Sequence, residues 1–391
     1  WSSWSSIWPT ERAGARSPAS CTAPASWSIS RASTLGGAGA PRGHDASLGW
    51  VLRLVALAVA AVLAVSIYLT ALGAGTSRSF ELGVVSNADP TLVAARIGRL
   101  GVPIARVEFP ISASPARLAP VIAAFARRHI RVLPLAGFRG RMPSSEEVRN
   151  LASWAHAFGP SGSYWVHHGG GSLAIRDIEF GNETNQAYQY NCGPGCSSFA
   201  ARGHAYALAV KQAAEAVAGA QGNPGVGVLA IADNGGTGSP EWVNAMFDAV
   251  PDLASRVAGW TAHPYGPRGQ WQAALDQLIA ETQARGAPVS VPIYITEIGI
   301  ATDNGRCLQN NFGWNPCMTY AETGAALAST VSAIRARYGT RIRAMFIYQA
   351  LDQRLPRVDS DREHYFGILT ANGAAKGALT ATFRSLVRSQ H

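Results

Sequence analysis

"IRDIEFGNE" (175–183) followed by "AARGHAYALAVKQAAEAVAGA" (200–220) decides the fold. The first segment is a short apolar run that turns polar at its end. The second carries apolar residues at helical spacing, so the pair reads as a buried strand and its crossover helix. Working outward, the same unit recurs in both directions. Upstream, strands at 81–85, 103–109 and 131–137 precede helices at 90–101, 116–129 and 145–158. Downstream, strands at 225–233, 257–266, 291–299 and 342–352 precede helices at 240–250, 270–286, 320–339 and 373–389. Eight apolar strands alternating with eight helices predict a parallel sheet closed into a (β/α)₈ TIM barrel over residues 79–391. The rival is an open doubly wound sheet. It would usually carry a Gly-rich phosphate turn after the first strand, and "ELGVVSNADP" (81–90) has none.

The front of the chain is different. Residues 54–74, "LVALAVAAVLAVSIYLTALGA", are uncharged and long enough to span a bilayer. Arg12, Arg16, Arg31, Arg42 and Arg53 precede them, which predicts a cytoplasmic N-terminus and an exported remainder. Residues 49–75 therefore read as a signal peptide or a membrane anchor. Residues 1–48 lack periodicity, and the first methionine is Met142, so this stretch reads as unstructured or as a start placed too early. Translation from near Val51 is the expectation.

The formal charge of +9 comes from scattered arginines, with only Lys211 and Lys376 as lysines, so no nucleic-acid surface is expected. Four of the five cysteines form the close pairs Cys192/Cys196 and Cys307/Cys317 in loop-like stretches, without interleaved histidine. Disulfides are the simplest account in an exported protein, and a metal site is not expected. His167 and His168 adjoin each other in "YWVHHGGG" (164–171) and are not read as ligands.

In such a barrel the chemistry gathers where strands end. The polar strand ends are Asn87 and Asp89; Glu108; Arg139 and Arg141; Asn182 and Glu183; Asp233 and Asn234; His263 and Tyr265; Glu297; and Gln349 and Asp352. Glu183 and Glu297 end the fourth and seventh strands, whose tips face each other across the mouth. Two facing carboxylates suit glycoside cleavage, one protonating the leaving oxygen and one attacking or activating water. Asn182 is placed to hold the neighbouring sugar hydroxyl. Tyr188, Tyr190, Phe312 and Trp314 lie on the two cysteine-bearing loops and are candidates for stacking on sugar rings. Trp260 and Tyr294 read equally as core or as site residues.

"IEFGNETN" and "YITEIG", with "AHPYG" and "ARVEF", resemble the clan A glycoside hydrolases. The resemblance implies a retaining (β/α)₈ enzyme without cofactor, acting on a β-linked oligosaccharide or polysaccharide. Glu183 would be the acid/base, protonated at rest, and Glu297 the nucleophile. Arg106, His263 and Tyr265 would support the pair. Tyr348 and Gln349 stand where many members carry a tryptophan platform, and "NETN" lacks the usual proline after the acid/base. A non-catalytic carbohydrate-binding barrel is the alternative, and a metal-dependent barrel hydrolase a third. The sequence does not specify an oligomeric state.

Overall fold

A computed structural model describes residues 80–86, 90–221, 225–233, 239–309, 315–353 and 361–390. Residues 1–79, Asn87, Asp89, Asn234, Phe312 and Trp314 lie outside this set. The expected signal or anchor segment and the N-terminal extension therefore lie outside it as well. No helix among the described residues is long and apolar enough to cross a membrane.

The strands are β1 (Glu81–Ser86), β2 (Ile104–Pro110), β3 (Arg131–Gly137), β4 (Asp177–Phe180), β5 (Gly227–Asp233), β6 (Gly259–Ala262), β7 (Ile293–Ile298) and β8 (Ile342–Ile347). They pair in sequence order, all parallel, and β8 closes on β1 through Glu81–Ala344 to Val84–Ile347. The expected TIM barrel is the observed fold.

The intervening helices include α1 (Pro90–Gly98), α2 (Pro115–Ala126), α3 (Ser145–Phe158), α4 (Ser163–His168), α5 (Phe199–Ala218), α6 (Ser239–Ala249), α7 (Leu253–Arg256), α8 (Arg268–Ala284), α9 (Tyr320–Tyr338) and α10 (Gly377–Arg388). Local chemistry explains the helix starts. Ser144 with Glu147 caps α3, and Thr319 with Glu322 caps α9, each pair satisfying backbone donors that the first turn leaves open. The "YWVHHGGG" stretch begins within α4, which closes at the positive-φ Gly169 and Gly170, so it forms no strand.

Two apolar layers hold the barrel. Val85, Ile104, Leu133, Leu229, Tyr294, Ala344 and Phe346 fill its interior. A larger layer, with Trp154, Tyr206, Trp242 and Trp260 fully buried, lies between sheet and helices. Trp260 and Tyr294 are thus core residues. The Tyr294 hydroxyl lies 3.1 Å from Asp177 below the interior layer.

The strands stop earlier than the alternation suggests. β4 ends at Phe180 because Gly181 takes a φ of 81°. β6 ends at Ala262, just before His263 and Pro264, and proline has no N–H for a ladder. The polar residues after each stop turn into the barrel mouth.

Candidate active site

The site is built on Arg106. It rises from β2 into the mouth with 2% of its surface exposed, and its guanidinium reaches three elements. Nε donates to Glu179 Oε2, Nη1 to Glu297 Oε1 at 2.5 Å, and Nη2 to Asn182 Oδ1 at 2.7 Å. A planar fork that is held at three nitrogens has no rotational freedom left. Burial works against the charge, but the two carboxylates outweigh it and push the guanidinium pKa up.

Glu297 ends β7 with 9% of its surface exposed, and its second oxygen accepts from the Tyr265 hydroxyl at 2.8 Å. Both oxygens are engaged, so the carboxylate is fixed in direction. Burial and the Glu297 charge push the Tyr265 phenol well above its usual range, so it remains a donor.

Glu183 sits three residues past β4 with a φ of 44°. Its Oε1 lies 3.1 Å from His263 Nδ1, and its Oε2 accepts from the Tyr188 hydroxyl at 2.5 Å. His263 is fully buried, and its Nε2 lies 3.1 Å from Thr296 Oγ1. One donor atom from each of Glu183, His263 and Glu297 lies within 4.8 Å of the others. Such spacing would accept a divalent cation. All four carboxylate oxygens face Arg106, Tyr265, His263 or Tyr188.

The groups around Glu183 act against the protonated resting form that the resemblance implies. Burial pushes the carboxyl pKa up, but the bond and charge of His263, the Tyr188 hydroxyl and Arg106 together bring it down. His263 moves the other way. Burial lowers it, while the Glu297 and Glu183 carboxylates outweigh that and raise it. The two groups are thus shifted in opposite directions across their 3.1 Å contact.

The loop after β4 is held by α5. Arg202 donates to the Asn185, Cys196 and Ser197 carbonyls, and the Tyr206 hydroxyl bonds to the Phe180 carbonyl at 2.6 Å. Cys192 bonds to Cys196 and Cys307 to Cys317, as the spacing suggests. Tyr190 is fully buried against Phe138 and Tyr206, so it is core and offers no face to a sugar. Tyr188 is half exposed beside Glu183.

Tyr348 stands edge-on to Tyr265 and Phe366, with centroids 6.2 and 5.3 Å away, and forms an aromatic wall. Gln349 is fully buried, and its amide has no hydrogen-bond partner among the described residues. Arg139 and Glu108 form a bidentate pair at the rim, at 3.1 and 2.7 Å.

Sequence reading missed Glu179. It is fully buried on β4, and its signal was position: two residues after Asp177, it shares that residue's side of the strand.

No family model and no curated protein matches the sequence. Solved structures with a similar backbone include a GH128 (subgroup I) endo-β-1,3-glucanase from Amycolatopsis mediterranei in complex with laminaritriose. It is 17% identical with a TM-score of 0.46, over 78% of this chain and 98% of that one. The β-glucuronidase of Bifidobacterium dentium is 14% identical with a TM-score of 0.48, over 79% and 46% of the two chains. That of Faecalibacterium prausnitzii is 12% identical with a TM-score of 0.49, over 80% and 49%. The chain spans about half the length of these β-glucuronidases. At this distance the likeness is one of backbone shape and is silent on the reaction.

Proposed function

We propose that the chain is a retaining glycoside hydrolase that cleaves a β-linked oligosaccharide or polysaccharide, with Glu297 as nucleophile and Glu183 as acid/base. The observation that carries this reading is the carboxylate spacing, with an oxygen of Glu183 within 4.8 Å of one of Glu297. Retaining enzymes hold their carboxyl groups about 5–5.5 Å apart, whereas inverting ones need about 6.5–9.5 Å to admit a water between them.

In the first step, Glu297 attacks the anomeric carbon as the glycosidic C–O bond breaks. The leaving oxygen takes the proton shared by Glu183 and His263. In the second, water attacks the glycosyl ester, gives its proton to Glu183 and releases the Glu297 carboxylate. Arg106 and Tyr265 keep that carboxylate aimed, and Asn182, held through its carbonyl oxygen by Arg106, presents its amide to a sugar hydroxyl. Tyr348 offers a ring to the sugar, and Trp314 is proposed as a second from the loop after β7. Export, with or without a membrane anchor at residues 49–75, belongs to the same proposal and agrees with the two disulfides.

The test is a screen of β-glycans and aryl β-glycosides with wild type, Glu183→Gln and Glu297→Gln. Each variant is expected to lose more than about 10³-fold in kcat, and NMR of the first product should show the starting anomeric configuration. Inverted product, or unchanged turnover by Glu297→Gln, refutes the assignment.

A further inference from the structure

Glu179 is the one carboxylate of the site that no step above uses. It is fully buried on β4, four residues before Glu183, below the plane of the catalytic pair. Oε2 accepts from Arg106 Nε. Oε1 has no hydrogen-bond partner among the described residues and lies 3.9 Å from His263 Nε2. A fully buried carboxylate with an unpaired oxygen is costly unless cations face it. The cations within reach are Arg106 and a protonated His263.

We propose that Glu179 is a positioning residue: a buried anion that anchors Arg106 under Glu297 and keeps the site's mobile proton on the His263–Glu183 pair. Two geometric facts carry this. First, Nε is the hinge of the guanidinium. Holding it aims Nη1 at Glu297 and Nη2 at Asn182. Second, three carboxylates surround one permanent cation, so the cluster favours keeping one further proton. His263 is the base in their midst. It is faced by Glu179 and Glu183 from β4 and its extension, by Glu297 from β7 and by Arg106 from β2, with Tyr265 two residues along its own segment. Glu179 never meets the substrate, so it is not a catalytic residue.

The inference rests on the glycosidase reading for its meaning, but its test does not. The imidazole of His263 is titrated by NMR in the full protein, in wild type and in Glu179→Gln. The glutamine keeps the acceptor for Arg106 and removes the charge. His263 should titrate lower in the variant by about one unit or more, the size expected from a charge 4 Å away. The alkaline limb of kcat/KM should follow it down. Glu179→Asp keeps the charge and shortens the reach, so it should leave His263 near its wild-type value and lower kcat at every pH.

An unmoved His263 in Glu179→Gln overturns the proposal. Should that variant fail to fold, wild type decides alone, because a His263 that titrates at or below about 6.5, the free-imidazole value, also overturns it. Absence of glycoside turnover in wild type would sink the glycosidase reading instead and leave the imidazole result standing.

Discussion

Gly181→Ala tests whether the turn after β4 is built for Glu183. Gly181 has a φ of 81°, and a Cβ placed there would lie 2.5 Å from Thr184 Cγ2 and 2.6 Å from Phe138 Cζ. Neither neighbour can retreat. Thr184 is buried with its hydroxyl bonded to the Ile231 carbonyl, and Phe138 is packed between Phe180 and Tyr190. Left-handed backbone costs an alanine about 1–2 kcal/mol, and an extra carbon in a filled site about 1–3 kcal/mol. The variant should lose about 2–5 kcal/mol in all. Gly101→Ala is the control, with a φ of 77° and nothing within 4 Å of the added carbon, so only the backbone cost applies. Urea unfolding followed by tryptophan fluorescence measures both. The chain can also relieve the overlap by shifting Glu183, and a displacement of about 1 Å is worth roughly 10²-fold in rate. Gly101→Ala should leave kcat alone. If the two variants are equally stable and equally active, the account of this turn is wrong.

Tyr265→Phe removes the 2.8 Å bond to Glu297. A hydrogen bond to a charged group is worth about 1.5–3 kcal/mol, so kcat/KM on an aryl β-glycoside should fall about 10- to 150-fold with little change in unfolding. Lys376→Met leaves Asp352 buried without the ammonium that now lies 2.8 Å away. Urea unfolding at pH 8 should show a loss of about 3–5 kcal/mol. Burial pushes the Asp352 carboxyl up to about 6 even with Lys376 opposing it. Without Lys376 the carboxyl titrates higher still, so the deficit should shrink as the pH falls from 8 toward 6 and Asp352 of the variant takes up a proton, and level off below that. Adding Asp352→Asn should recover most of the loss at pH 8, and a deficit independent of pH would refute the buried-charge explanation.

The barrel was legible because every unit repeats the same pair of periodicities, and local signals such as the Ser144–Glu147 box agree with it. The candidate pair, Glu183 and Glu297, was legible because an acid that ends an apolar strand has left the core for the mouth. Strand ends were read too long at β4, β6 and β8, since polar mouth residues continue an apolar run without a break. Tyr190 and Gln349 show the limit from the other side. Gln349 lies two residues past β8 and Tyr190 ten past β4, yet packing sends both inward to full burial. The charge balance around His263 was not legible at all. It depends on distances among Glu179, Glu183, Glu297, Arg106 and His263, which come from β2, β4, β6 and β7 or the turns beyond them.

The backbone of Glu183 draws these threads together. A φ of 44° is unfavourable for a glutamate, and such residues persist only where their surroundings hold them. Those surroundings are identifiable. Tyr206 holds the Phe180 carbonyl on one side, and Arg202 holds the Asn185 carbonyl on the other. Thr184 is tied to β5, and Asn182 to Arg106. In this left-handed conformation the carboxylate lies 3.1 Å from His263 Nδ1. The same Arg106 that fixes Asn182 also fixes Glu297 and is itself seated on Glu179. The backbone of Glu183 and the side chain of Glu297 therefore share one anchor, and displacing Arg106 should disturb both carboxylates together.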